Sequence, residues 1–280
     1  MPDPESSVHE RMKVLLISRP GDFGVLEEHW SADPVFLPLP GGTVLDFHEA
    51  SFRALGITEG RILRCHPADE SPNLAPLEEA LAGRGFSWSV RPWPVGPWPA
   101  GWNLPQALIR QCVFLQGEGA LIFSVPVADP RGWLGPKVPF GFPSNEARSL
   151  APQQWDASGR LTPWEGPLVS LSGTRDFFRA SLRLLETLPP PALGLKGIHR
   201  QATLEPPLAL GLKIRAASRS HLGPLVQLAS GSRLDHGTSL SRTLVLTPTL
   251  FHKDFALEDK IVIGNFVVEP MRGEAIRRPL

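Results

Sequence analysis

From Ile198 to Leu246 an apolar residue recurs almost every sixth position, through Leu204, Leu210, Ala216, Leu222, Leu228, Leu234 and Leu240. The series then slips by one and continues as Phe251, Leu257 and Ile263. A helix places apolar residues at intervals of about 3.6 and a half-buried strand at about 2. A six-residue period serves neither as a lone element. It fits a solenoid in which each unit forms one short face of a coil and turns its aliphatic residue inward. Small or polar residues stand two positions before several inward ones: Ala202 before Leu204, Ser232 before Leu234, Thr238 before Leu240. A tight corner leaves room for nothing larger. The pattern amounts to roughly eleven units, just under about four coils of a short left-handed parallel β-helix at about three units per coil.

The chain before the repeat has a different grammar. Residues 12–18 form a continuous apolar run, as in a parallel strand covered on both faces. Leu45 to Gly56 has helical spacing and stops at a glycine. Arg61–Cys65 reads as a strand, Leu74–Gly83 as a helix and Ser87–Val90 as a short strand. A helix over Leu104–Arg110, strands over Cys112–Leu115 and Ala120–Val127, and a helix from Arg175 to Leu188 follow, with an irregular Pro- and Gly-rich stretch over 130–154. Alternating strands and helices argue for an α/β layer. The segment Pro92 to Trp102 holds Trp93, Trp98 and Trp102 among prolines and reads as a stiff loop outside regular structure. Its tryptophans either cover core surface or form an exposed contact patch. Pro189-Pro190-Pro191 marks a boundary. The expected organisation is an α/β domain over 12–188, the repeat over 189–267 and a tail over 268–280.

Charge narrows the function classes. The 28 basic and 28 acidic residues among 280 cancel, which removes the broad electrostatic argument for nucleic acid or an anionic membrane. No run approaches the ~20 apolar residues of a membrane span, and the N-terminus lacks a signal-peptide pattern, so a cytoplasmic location is expected. Cys65 and Cys112 are far apart in sequence and read as reduced thiols rather than zinc ligands.

Several segments, in order, resemble one enzyme family. Phe36-Leu37-Pro38-Leu39-Pro40-Gly41-Gly42-Thr43-Val44-Leu45-Asp46-Phe47 is similar to a Lys-Pro-Leu-Leu-Pro-Leu-Gly-Gly-Lys-Pro-Leu-Leu-Asp-Tyr segment. Phe114-Leu115-Gln116-Gly117-Glu118 stands where that family has a strand ending in Gly-Asp. Asp156-Ala157-Ser158-Gly159-Arg160-Leu161 resembles its Asp-x-x-Gly-x-Val hairpin, and Trp164-Glu165-Gly166-Pro167 its Glu-Lys-Pro. Gly173-Thr174-Arg175-Asp176-Phe177-Phe178-Arg179-Ala180 resembles its Gly-Thr-Pro-Glu-Asp-Tyr-Leu-Arg-Ala. The family is the nucleoside-diphosphate-sugar pyrophosphorylases, the sugar-1-phosphate nucleotidyltransferases such as mannose-1-phosphate guanylyltransferase. The resemblance implies a Rossmann-like nucleotidyltransferase domain followed by the β-helix.

That chemistry joins a sugar phosphate to a nucleotide α-phosphate with loss of pyrophosphate. It needs a glycine loop to cradle phosphate, cations to offset charge and carboxylates to hold Mg²⁺. The resemblance assigns these roles to positions that depart from the pattern. The Gly-Gly-x-Gly-x-Arg loop falls at Ser18 to Val25, where Gly21 and Gly24 remain, Arg19 is the nearby cation and Asp22 adds a negative charge. The lysine of the Lys-Pro segment falls at Pro34, one metal aspartate at Glu118 and the other at Leu171. The nucleotide-reading segment falls at Gly101 to Pro105.

The reading that follows is a catalytically degenerate relative acting as a scaffold, regulatory or assembly subunit. Its partner would be a protein, such as a catalytic pyrophosphorylase, or further copies of the chain. If active instead, the chain would use Arg19, Glu118 and Glu165 with Mg²⁺ on Glu118. A third reading is an acyltransferase of the repeat, with a base among His199, His221, His236 and His252.

Overall fold

The computed structural model describes residues 12–67, 69–95, 120–125, 127–128, 153–155, 160–163, 168–189 and 197–280. The elements of the first part, in order, are β1 (Lys13–Ser18), α1 (Val25–His29), β2 (Pro38–Leu39), β3 (Gly42–Thr43), α2 (Val44–Ala54), β4 (Glu59–Pro67), α3 (Ala75–Leu81), β5 (Ser87–Val95), β6 (Ala120–Ser124), β7 (Val127–Ala128), β8 (Gln153–Trp155), β9 (Leu161–Pro163), β10 (Val169–Ser170) and α4 (Gly173–Thr187). Contacts group the chain into two compact units: Met1–Asp22 with Val44–Ser170, and Phe23–Thr43 with Leu171–Leu280.

The first unit is built on a sheet of order β5-β4-β1-β6-β8-β9. Strands β5, β4, β1 and β6 are parallel, and β8 and β9 add as an antiparallel hairpin. Val14, Leu15, Leu16 and Ile17 are all at most 1% exposed, which is why β1 reads as an unbroken apolar run. Helix α2 turns Phe47 and Phe52 inward, and Phe52 meets Phe86, Trp88 and Phe123 ring to ring.

Strand β5 corrects one expectation. Residues 92–95, read as loop, continue the strand to Val95. Among the described residues β5 is the outer strand of its sheet. Ser87 donates its N–H inward to Thr58, so odd-numbered residues bond toward β4 and even-numbered ones face away. Pro92 and Pro94 therefore sit where a missing N–H costs no ladder bond.

His48 on α2 is fully buried, with Nε2 2.7 Å from the Val125 carbonyl oxygen. Burial pushes its imidazole down to about 4, against the opposing pull of that hydrogen bond. Between pH 6.5 and about 4 the unfolded chain takes up a proton that the folded one refuses. Stability is therefore full above pH 6.5 and falls on acidification, by about 3 kcal/mol in all. Urea unfolding at a series of pH values should show this loss in the parent and a flatter profile in His48→Phe.

The second unit carries the repeat as β11 (Thr203–Leu204), β12 (Leu208–Leu210), β13 (Arg215–Ala216), β14 (His221–Leu222), β15 (Val226–Leu228), β16 (Arg233–Leu234), β17 (Ser239–Val245), β18 (Leu250–Phe251), β19 (Ala256–Ile263), β20 (Phe266–Glu269) and β21 (Glu274–Arg277). Thr203 pairs with His221, Leu208 with Val226, and Arg215 with Arg233, always in parallel and always 18 positions on. Three six-residue units thus make one turn of the chain. Backbone φ is positive at Lys213, Arg219, Leu225, Gly231 and Gly237, again every sixth residue, so the corners repeat with the core. Ser220, Ser232, Thr238, Thr243 and Thr249 are buried two positions before inward residues. Several bond backbone carbonyls there, as Thr238 does to Asp235 and His252.

The slip lies elsewhere than its spacing suggested. Leu228 pairs with Val245, Leu234 with Phe251 and Leu240 with Leu257, each 17 positions on. The inward residues after Leu240 are therefore Val245, Phe251, Leu257 and Val262, which join the coil's core. Leu246, just past the end of β17, and Ile263, the last residue of β19, follow inward residues and are also buried. Helix α4 contacts β15 and β17, so the helix that sequence placed upstream of the Pro189 boundary groups with the coil. Strands β20 and β21 add antiparallel beside β19 and end the sheet.

Candidate functional site

In the first unit the chain runs from β1 to β4 to β5 on one side and then crosses to β6 on the other side of β1. Ligands of open α/β sheets bind beyond the carboxyl ends of strands at such a reversal. Ser18, the loop after it and Arg64 to Pro67 stand at that edge. Arg64 donates from Nη1 to the Ser18 hydroxyl. Arg19 donates to Asp22 from its backbone N and from Nε, each at 3.1 Å, and its Nη2 pairs with the same carboxylate at 2.9 Å. Asp22 is only 6% exposed, so the loop folds around its own carboxylate.

Beside these groups is Cys65. Burial first, and the negative charge of Asp22 second, push its thiol up to about 12, while Arg19 and Arg64 pull the other way. It stays a thiol at neutral pH and is not an activated nucleophile. The mouth thus offers two guanidiniums, a hydroxyl and one carboxylate. Arg19 is already engaged by Asp22, and the set contains no activated nucleophile. Among the described residues no group of three or more His, Cys, Asp or Glu is placed to hold a metal ion.

The sequence-derived candidates divide as follows. Arg19 and Gly21 lie together in the loop after β1; Gly21 has φ +83°. Trp93 lies on β5, half-buried and in register with Cys65. Glu118, Glu165, Trp98 and Trp102 lie outside the described residues, as do Gly101 to Pro105. Ser18 and Arg64 were not singled out by sequence. Arg64 lies within the strand-like run Arg61–Cys65, but only the pairing of β4 with β1 brings it over Ser18.

In the second unit, Gly24 precedes the short α1 with φ +58°, and a Cβ there would meet Thr174 Oγ1 at 3.3 Å. Pro34, which the sequence resemblance sets against a lysine, is buried in a single 3₁₀ turn capped by Asp33. Leu171, which the sequence resemblance sets against a metal-binding aspartate, is fully buried. Of the four repeat histidines, His221 stands 3.8 Å from Glu205 and His236 3.9 Å from Asp254, while His199 and His252 are exposed.

No helix among the described residues is long and apolar enough to cross a membrane. No family model matches the chain, and no curated protein matches it. Among solved structures, the chain is similar to the inositol-1-phosphate CTP transferase from T. maritima, at 10% identity and a TM-score of 0.31. The match covers 43% of this chain and 46% of that one, so it spans under half the length of the transferase.

Proposed function

We propose that the chain is a catalytically degenerate, nucleotidyltransferase-like protein that works as an assembly or regulatory subunit. In this reading residues 12–188 derive from a nucleotidyltransferase domain, and residues 189–267 form a left-handed β-helix that presents docking surface. The observation that carries it is the Asp22 carboxylate, nearly buried and held by Arg19, in the loop that would have to cradle phosphate. A carboxylate there repels the charge that the reaction brings in. The apolar Leu171 and the proline at 34 support the same reading, since neither can ligate Mg²⁺ or neutralise a phosphate.

Purified protein given sugar 1-phosphates, each nucleoside triphosphate and Mg²⁺ is expected to release no pyrophosphate above a no-protein control. Mg²⁺-dependent nucleotide-sugar formation that disappears in Glu118→Ala would overturn the reading and establish an active transferase with an atypical site. The assembly role predicts a stable complex with another protein, a catalytic pyrophosphorylase or further copies of the chain. Light scattering and cross-linking of the native protein detect either.

A further inference from the structure

In the sheet of β13, β16 and β18, Ala216, Leu234 and Phe251 point into the coil, so their neighbours Arg215, Arg233 and Leu250 point out in one column. Adjacent strands are about 4.8 Å apart. Two guanidiniums therefore stand side by side, followed by a leucine that is 55% exposed. Among the described residues neither arginine has an ion pair. Like charges directly opposite one another weaken a sheet. The same coil shows the opposite arrangement at another corner, where Arg242 lies against Asp259 at 2.6 Å. A pair that breaks the local rule with no gain to the fold is where function is expected.

We propose that this face docks an extended acidic segment of a partner protein, its carboxylates on Arg215 and Arg233 and an aliphatic side chain against Leu250. Arginine forks match carboxylates in bidentate geometry. The next outward column is Ala217, Asp235 and His252. Among the described residues these two columns hold no Trp or Phe on which bases could stack. An exposed leucine in line with the arginines suits a peptide and offers nothing to a polyphosphate backbone. The inference deepens the assembly reading and rests on it. Its readout involves no nucleotide-sugar chemistry, so the two fail separately.

The test is fluorescence anisotropy of the full chain, at low salt, with a fluorescein-labelled peptide of repeated Glu-Ser-Glu-Ser-Leu-Ser, which when extended sets two glutamates and a leucine on one face. Saturable binding is expected, weakened at least about tenfold in Arg215→Glu/Arg233→Glu and about threefold in Leu250→Ser. Arg215→Gln/Arg233→Gln removes the repulsion without reversing charge. It should melt at or above the parent temperature and still bind more weakly. Three results would overturn the proposal: no saturable binding to the parent, undiminished binding to the glutamine double variant, or tighter binding of an equally charged oligonucleotide than of the peptide.

Discussion

Gly223→Ala is expected to cost about 3 kcal/mol or more of stability. A Cβ at this corner would lie 1.9 Å from the Glu205 carbonyl oxygen and 2.7 Å from its carbonyl carbon. Both are backbone atoms of the preceding coil, so no rotamer change relieves the clash. The glycine's φ of +119° adds a conformation that side chains avoid. Its N–H donates to Leu240 while Glu205 donates to Leu222, so the variant must separate strands that these bonds hold in register. Gly231→Ala is the control. Its φ is +83° but the nearest atom is 3.9 Å away, leaving backbone strain of about 1 kcal/mol. Urea midpoints for the two variants should differ clearly; equal midpoints would show that the coils are not packed as described.

Glu49→Ala should destabilise the first unit by about 3 kcal/mol. Glu49 is 3% exposed and accepts from Arg53 at 3.0 Å, from Arg84 Nε at 2.6 Å and from the Trp88 indole at 2.8 Å. Partial burial opposes the charge of Arg84, but its bonds to Glu49 and Asp46 more than offset this and raise its pKa. Truncation leaves two cations and an indole N–H without their shared acceptor. Because Arg53 is half-exposed, water recovers part of the loss. Glu49→Gln keeps an acceptor and should fall between parent and alanine variant in thermal melts. A Glu49→Ala protein that melts with the parent would mean that these bonds add nothing net.

The sequence made the coil's period legible because each inward residue recurs at one position of a six-residue unit. It hid where the unit shortens. Leu246 fits the period, but Leu244, Val245 and Leu246 are all buried, and hydrophobicity cannot tell which of them faces the coil's core. Pairing resolves it, since Leu228 meets Val245. The α/β alternation was likewise readable from β1, α2, β4 and α3, each bounded close to the expected residues. The grouping of α4 with the coil was not, because its apolar face records only that it is covered, not by which neighbour. At the candidate site, Arg19 and Asp22 are three apart in the chain, so their pairing is a local fact open to sequence reasoning. Arg64 over Ser18 depends on strand order across 46 residues and has no local signature.

The alternating prolines of β5 have a consequence for how the protein behaves in a crowded solution. Among the described residues β5 is the outer strand of its sheet, and an open sheet edge recruits other strands through its outward N–H groups. Along Pro92 and Pro94 those groups are missing, so a strand laid against this stretch finds carbonyls but no donors. The nine-residue strand can thus be long enough to carry Trp93 beyond the end of β1, while the part that projects farthest is the part least able to seed aggregation.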